Sequence, residues 1–161
     1  MATIRPERPG DEAAIAGMVE RAFGRPDEAR LIERLRADGD VAISLIAEAD
    51  GAIVAHVLLS RMDAPFRALG LAPVAVAPDR QQHGIGGALI RAALASARSD
   101  GWEAVFVLGE PAYYRRFGFS AELAAGFASP YAGPYLLALA LAGPLPAAHG
   151  RIDYAPAFSA L

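Results

Sequence analysis

The sequence predicts a mixed α/β fold, with helices on both faces of a largely antiparallel sheet. Three observations predict it. Apolar residues recur at helical spacing in Asp11–Phe23 and Pro26–Ala37. Two strand-like runs joined by a tight turn lie between Val41 and Arg61. A third helical pattern, Gly84–Arg98, precedes a short apolar run, Ala104–Leu108. The expected order is β-α-α-β-β-β-α-β-α-β, and a chain of 161 residues suits one domain spanning 1–161.

Ala2–Arg5 reads as a short first strand. In the first helix Ile15, Met18, Val19, Ala22 and Phe23 share a face, Gly10 and Asp11 supply a start and Gly24 a stop. Pro26 and Asp27 open the second helix, which turns Leu31, Ile32 and Leu35 inward, and Gly39 follows its end. Val41–Glu48 and Ala52–Arg61 flank Ala49-Asp50-Gly51, a hairpin signal. The second run is apolar on both faces, the pattern of a strand covered above and below. Arg67–Ala77 is a fourth strand interrupted by Pro73, which cannot donate to a ladder and marks an edge or a bulge. In the third helix Ile85, Ala88, Leu89, Ala92 and Ala93 lie together. Ala104–Leu108 is a buried strand and Pro111–Phe117 a short helix. Phe119–Pro134 has no period and reads as a loop with room for one short strand. Tyr135–Leu141 is a strand, and from Gly143 the chain is a Pro- and Gly-rich tail.

Composition narrows the chemistry. Hydrophobic residues make up 54% and the formal net charge is −3, which excludes disorder as the dominant state and makes nucleic acid a poor partner. There is no Cys, so disulfides, thiolate zinc sites and a cysteine acyl-enzyme are excluded. All 15 basic residues are Arg, which removes the lysine of a phosphate-binding P-loop and of Schiff-base catalysis. The three His lack metal-ligand spacing, so no metal is expected. Met1–Arg8 carries no signal-like apolar stretch and no unbroken run would span a bilayer, so a cytoplasmic protein with no membrane partner is expected.

The informative segment runs from Val74 to Ile90. A strand ends at Pro78, a polar loop follows, and a helix begins among Gly84, Gly86 and Gly87. Glycines there let backbone approach a ligand closely, and the first helix amides are unpaired and at the positive end of the dipole. That combination suits phosphate or pyrophosphate, with Arg80 and His83 beside it. A plain strand–helix turn with small residues for close packing fits the same glycines. A dinucleotide fingerprint does not: its third glycine position is Leu89, and the segment lies mid-chain.

The spacing Gln81-x-x-Gly84-x-Gly86 after Val76-Ala77-Pro78 resembles the acetyl-CoA motif of the GNAT-superfamily N-acetyltransferases, and the only two glutamines of the chain lie in it. The likeness extends over the whole chain. It is closest to a bacterial subgroup with a Gly-Asp/Glu-Pro-Ala-Tyr-Tyr segment before a Gly-Phe, here Gly109-Glu110-Pro111-Ala112-Tyr113-Tyr114 and Gly118-Phe119. The resemblance implies a GNAT-type acyl-CoA N-acyltransferase fold, with the sheet splayed between strands 4 and 5. A fourth-strand bulge, for which Pro73 is the candidate, creates the splay, and backbone near Val74 and Val76 pairs with the pantetheine amides. It places the pyrophosphate on the amides from Gln82 through His83, Gly84, Ile85 and Gly86 to Gly87, and makes acetyl-CoA the co-substrate.

Acetyl transfer needs a neutral amine, a donor to the oxyanion and a proton for the leaving thiolate. Tyr114 matches the family's Tyr-x-x-x-Gly-Phe position and is the candidate general acid, although a tyrosine also packs a short helix onto a sheet. An unpaired amide beside the bulge, near Val76, is the oxyanion donor. Glu110, at the end of the fifth strand, leads as the base; a helix-start carboxylate is its other reading. His56 reads as a hydrogen-bonded core residue or a proton relay. Asp11, Glu12, Glu20, Asp27, Glu28 and Glu33 lie on the two helices that border the acceptor entrance, where they favour a cationic amine or simply face water. The expected reaction is direct transfer in a ternary complex to a small-molecule or peptide amine. A degenerate acyl-CoA sensor of the same fold is the alternative. Tyr135–Leu141 and Ala121–Pro134 are candidates either for a homodimer contact or for shaping the acceptor pocket.

Overall fold

A computed structural model describes residues 2–160. A six-stranded sheet has the order β1-β2-β3-β4-β5-β7, from strands β1 (Thr3–Pro6), β2 (Val41–Ala49), β3 (Ala52–Arg61), β4 (Ala68–Val76), β5 (Ala104–Leu108) and β7 (Leu136–Ala140). Helices α1 (Glu12–Phe23), α2 (Asp27–Ala37) and α3 (Ile85–Ser99) pack on it. Every neighbouring pair is antiparallel except β4–β5, which α3 joins as a crossover. The expected elements are present within a residue or two of their predicted ends.

The elements follow from local chemistry. Asp50 and Gly51 both have positive φ, 53° and 76°, as a two-residue hairpin loop between right-twisting strands requires. Gly24 ends α1 in the left-handed conformation and its amide caps Glu20. The helices bury the faces read from their periodicity: Ile15, Met18 and Val19 of α1, Leu31, Ile32 and Leu35 of α2, Leu89, Ile90 and Ala93 of α3. β3 is buried from Val54 to Ser60, as its two apolar faces predict.

Two regions hold more structure than their sequence shows, although the short strand allowed for in the first is present. The stretch Phe119–Pro134 contains a helical turn α5 (Ala121–Ala124), capped by the Ser120 hydroxyl accepting from the Leu123 amide, and strand β6 (Phe127–Ala128). The tail is ordered as well. Strand β8 (Gly150–Arg151) pairs in parallel with β6, and a 3₁₀ turn closes Pro156–Ala160. Its sequence shows no period because a second, smaller core of Phe106, Phe127, Leu136 and Ile152 holds it by non-local packing.

His56 is fully buried and is the hydrogen-bonded core residue foreseen as one of its two readings. Ser44 Oγ donates to Glu7 Oε1 at 2.5 Å and lies 2.7 Å from His56 Nε2, so the imidazole donates from Nε2 and is neutral. Burial, opposed by Glu7 and reinforced by Arg36, pushes its pKa down to about 4. The folded state therefore takes up this proton later than the unfolded chain. Stability held above pH 6.5 is lost as pH falls toward 4, at ~1.4 kcal/mol per pH unit, approaching ~3 kcal/mol. Melting followed by circular dichroism between pH 7 and 4 should show this slope, and His56→Leu should flatten it. An unchanged slope would assign the acid sensitivity to other groups.

Candidate active site

The site begins where the sheet opens. β4 and β5 pair only through Ala68↔Ala104, Leu69↔Val105 and Gly70↔Phe106, and past Gly70 the two strands have no further partners in each other. The cause is on β4. Against β3, Leu71 faces Leu59 and Val74 faces Val57, so Ala72 and Pro73 together oppose one residue, Leu58. Pro73 sits in this bulge, where its missing N–H breaks no bond.

Beyond the bulge the pairing phase fixes which way the backbone points. The Ala77 amide donates to the Val54 carbonyl at 2.8 Å, so Ala75 also bonds toward β3. Val74 and Val76 alternate with them and turn their N–H and C=O groups into the gap. Gln81 Nε2 donates to the Val76 carbonyl at 3.1 Å, which ties the polar loop to the open strand.

Next to the gap lies a cavity of about 550 Å³ lined by Val74, Val76, Gln81, Gln82, Gly84, Ile85, Gly86 and Gly87, together with Arg80, Tyr113 and Arg116. The structure thus brings together the candidate phosphate-loop residues except His83, which is not in this lining. Gln82 and Gly84 have positive φ, 66° and 80°. Among the described residues no carbonyl or side chain accepts from the amides of Gln82 through Gly87, so these donors are free. A Cβ on Gly86 would stand 3.4 Å from Val76 Cγ2 and 4.0 Å from the Tyr113 hydroxyl, inside the cavity. Arg80 is occupied by Asp50 at 2.7 Å, and the Arg116 guanidinium stacks 4.5 Å over the Tyr113 ring. Sequence reasoning had no signal for Tyr113 as a wall of this cavity; its ring position follows from the helical turn α4 (Pro111–Tyr114).

A second cavity, about 470 Å³, opens on the other side of the gap, with Val74 lining both. Tyr114 faces this one. Its ring fills the place of a side chain at position 109: a Cβ on Gly109 would come within 2.3 Å of it. Tyr113 and Phe119 hold the ring edge-on at centroid distances of 5.0 and 5.8 Å. No described group hydrogen-bonds its hydroxyl, and burial raises its pKa, so the phenol stays protonated at neutral pH and is free to donate. Glu110 is exposed, caps α4 with its backbone carbonyl, and lines neither cavity. Of the six acidic residues noted on the first two helices only Glu28 lines this cavity, 7% exposed, its carboxylate held by Arg25. Asp11 is instead bound by Arg5.

The far wall comes from parts of the chain without a sequence signal: Tyr131, Tyr154 and Phe158. Tyr154 lies flat against β4 because position 70 is glycine; a Cβ there would meet its ring at 2.5 Å. Its hydroxyl is buried without a partner. Among the described residues no cluster of side chains could hold a metal ion, and no helix is long and apolar enough to cross a membrane.

An antiparallel sheet opened at a parallel β4–β5 pair, with free helix-start amides beside the opening, defines the GNAT-type acyl-CoA N-acyltransferase fold. Comparison with known proteins agrees. A family model of the acetyltransferase (GNAT) domain matches residues 3–121, and the chain belongs to that family. It is 39% identical to the uncharacterized N-acetyltransferase YjhQ of Escherichia coli K12, over 77% of this chain and 73% of that one. It is 38% identical to the uncharacterized N-acetyltransferase YhbS of the same strain, over 76% and 74%. The crystal structure of E. coli YhbS in complex with CoA superposes with a TM-score of 0.91 at 31% identity, covering 98% of this chain and 92% of that one. A GNAT family acetyltransferase from Brucella melitensis in complex with acetyl-CoA gives 0.83 at 36%, covering 98% of each.

Proposed function

We propose that the protein transfers an acetyl group from acetyl-CoA to a primary amine, directly, in a ternary complex. The observation that carries this reading is the run of free amides from Gln82 to Gly87 beside the same gap into which Val74 and Val76 turn their N–H groups, with the Val76 carbonyl held by Gln81. Solved relatives bound to CoA and acetyl-CoA support it.

The diphosphate sits on those amides, where the helix dipole and several N–H donors meet. The pantetheine arm lies along β4 as an added strand, bonding Val74 and Val76. That brings the thioester to Val74, between the two cavities. The amine nitrogen attacks the thioester carbon; a C–N bond forms, and the oxyanion is received by the unpaired Val74 amide, the first beyond the bulge and close to Val76. The C–S bond then breaks and Tyr114 gives its proton to the thiolate sulfur. The ammonium gives up one proton before attack and the nitrogen a second after it, to water with Glu110 at the exposed end of β5 as the acceptor; one N–H stays on the amide, and the phenol is reprotonated from solvent. The net products are an N-acetyl amine, CoA thiol and one proton.

The test is release of CoA thiol from acetyl-CoA, with the acetylated amine identified by mass spectrometry, across alkyl, aryl, amino-sugar, polyamine and peptide amines. At least one should turn over at a rate that depends on the protein. Tight CoA binding with no transfer to any of them would instead favour an acyl-CoA-sensing module.

A further inference from the structure

Within the acetyl-transfer reading, on which this rests, the second cavity carries information about the acceptor. We propose that it takes a small primary amine borne on an apolar, aromatic-sized body, with the ammonium received by Glu28.

The walls decide the body. Leu31 of α2, Leu71 of β4 and the rings of Tyr131, Tyr154 and Phe158 surround a space of about 470 Å³, the size of a small-molecule pocket. The rim is apolar too. Among the described residues four large hydrophobic side chains are exposed, and three of them, Phe23 at 40%, Leu108 at 42% and Tyr131 at 39%, line this one cavity. Exposed apolar groups gathered at one mouth mark a surface that is covered when occupied. The several hydroxyls of an amino sugar, or the second charge of a polyamine, would lose more water against these mostly apolar walls than the few tyrosine hydroxyls of the lining could replace.

The charge decides the anchor. Glu28 is the only acidic residue in the lining, and it is nearly buried. Arg25 binds both its oxygens, Nε to Oε1 at 3.0 Å and the terminal nitrogen to Oε2 at 2.5 Å, which holds the carboxylate ionised and in place. A carboxylate offers more acceptor positions than Arg25 fills, and an ammonium can take the remainder. A carboxyl kept ionised in this way is a poor proton acceptor, so Glu28 binds the incoming amine and leaves deprotonation to water and Glu110. No acidic track leads away from it. Glu12, Glu20 and Glu33 are exposed elsewhere, and Asp27 faces a separate hollow with Arg30 and Arg34.

The experiment uses the full chain with saturating acetyl-CoA and compares 2-phenylethylamine and hexylamine with ethanolamine, glucosamine, spermidine and a lysine-containing peptide. The value of kcat/KM for 2-phenylethylamine should exceed that for ethanolamine by ~10²-fold, the effect of burying an aromatic body. Glu28→Gln should raise KM for 2-phenylethylamine ~10-fold or more while kcat and the KM for acetyl-CoA stay as they are, and Glu28→Asp should recover part of the loss. A general loosening of the fold would move the acetyl-CoA constant as well. Preference for glucosamine, spermidine or the peptide overturns the proposal, as does an unchanged amine KM in Glu28→Gln. If acetyl-CoA binds and no amine on the panel is acetylated, the acetyl-transfer reading itself falls and takes this proposal with it.

Discussion

Gly86→Glu should abolish coenzyme binding and leave the fold standing. Position 86 lies in the first turn of α3, where backbone φ is ordinary and a carboxylate favours the helix dipole, so folding of the unliganded variant is unharmed. The new side chain must leave along the Cβ direction, which points between Val76 and the Tyr113 hydroxyl into the space of about 550 Å³ proposed to take the diphosphate. It fills that space and sets a negative charge against another. Wild-type protein at 100-fold excess of ligand over Kd gains ~2.7 kcal/mol, or a rise of ~5–10 °C in melting temperature. The variant should show none of this rise while melting near the wild-type unliganded value. An undiminished rise would remove the ligand from this cavity.

Tyr114→Phe should cut turnover by ~10²-fold with little change in the apparent acetyl-CoA constant. Phe keeps the ring that packs on Gly109, Tyr113 and Phe119, so the architecture loses nothing but an oxygen. That oxygen has no hydrogen-bond partner among the described residues to leave stranded. What disappears is the proton for the departing thiolate, an interaction made only as the C–S bond breaks, and such a loss appears in kcat. Because burial raises the phenol's pKa, wild-type activity should not fall from Tyr114 ionisation between pH 7 and 9. Equal kcat in the two proteins would take Tyr114 out of the reaction.

The loop proposed to hold the coenzyme was legible in the sequence because contiguous residues form it. Gln81 to Gly87 determine their own loop, and Pro73 marks the bulge by what it lacks. The acceptor half was not. Its walls come from α1, α2, β4 and from Tyr131, Tyr154 and Phe158, whose rings meet one another at centroid distances of 5.6 and 5.2 Å, and no local period encodes that meeting. Glu28 stood in the sequence as one acid among six, and only packing separates it from the other five. Gly70 and Gly109 likewise look unremarkable in the chain. Their role is to leave room for Tyr154 and Tyr114, rings that arrive from 84 and 5 positions further along. In Phe119–Pro134 the sequence allowed the one short strand that β6 forms but did not show the capped helical turn before it; both lean on β7 and β8.

The parted strands have one more implication. Elsewhere a row of unsatisfied peptide groups invites foreign chains to stick. Here the inviting stretch is recessed inside the sheet and walled by α3 on one flank and Tyr113 on the other. The open run is also short, Val74 to Val76, and offers a second chain little ladder to extend. The same recess proposed to take a linear guest therefore leaves neighbouring molecules little edge on which to clump.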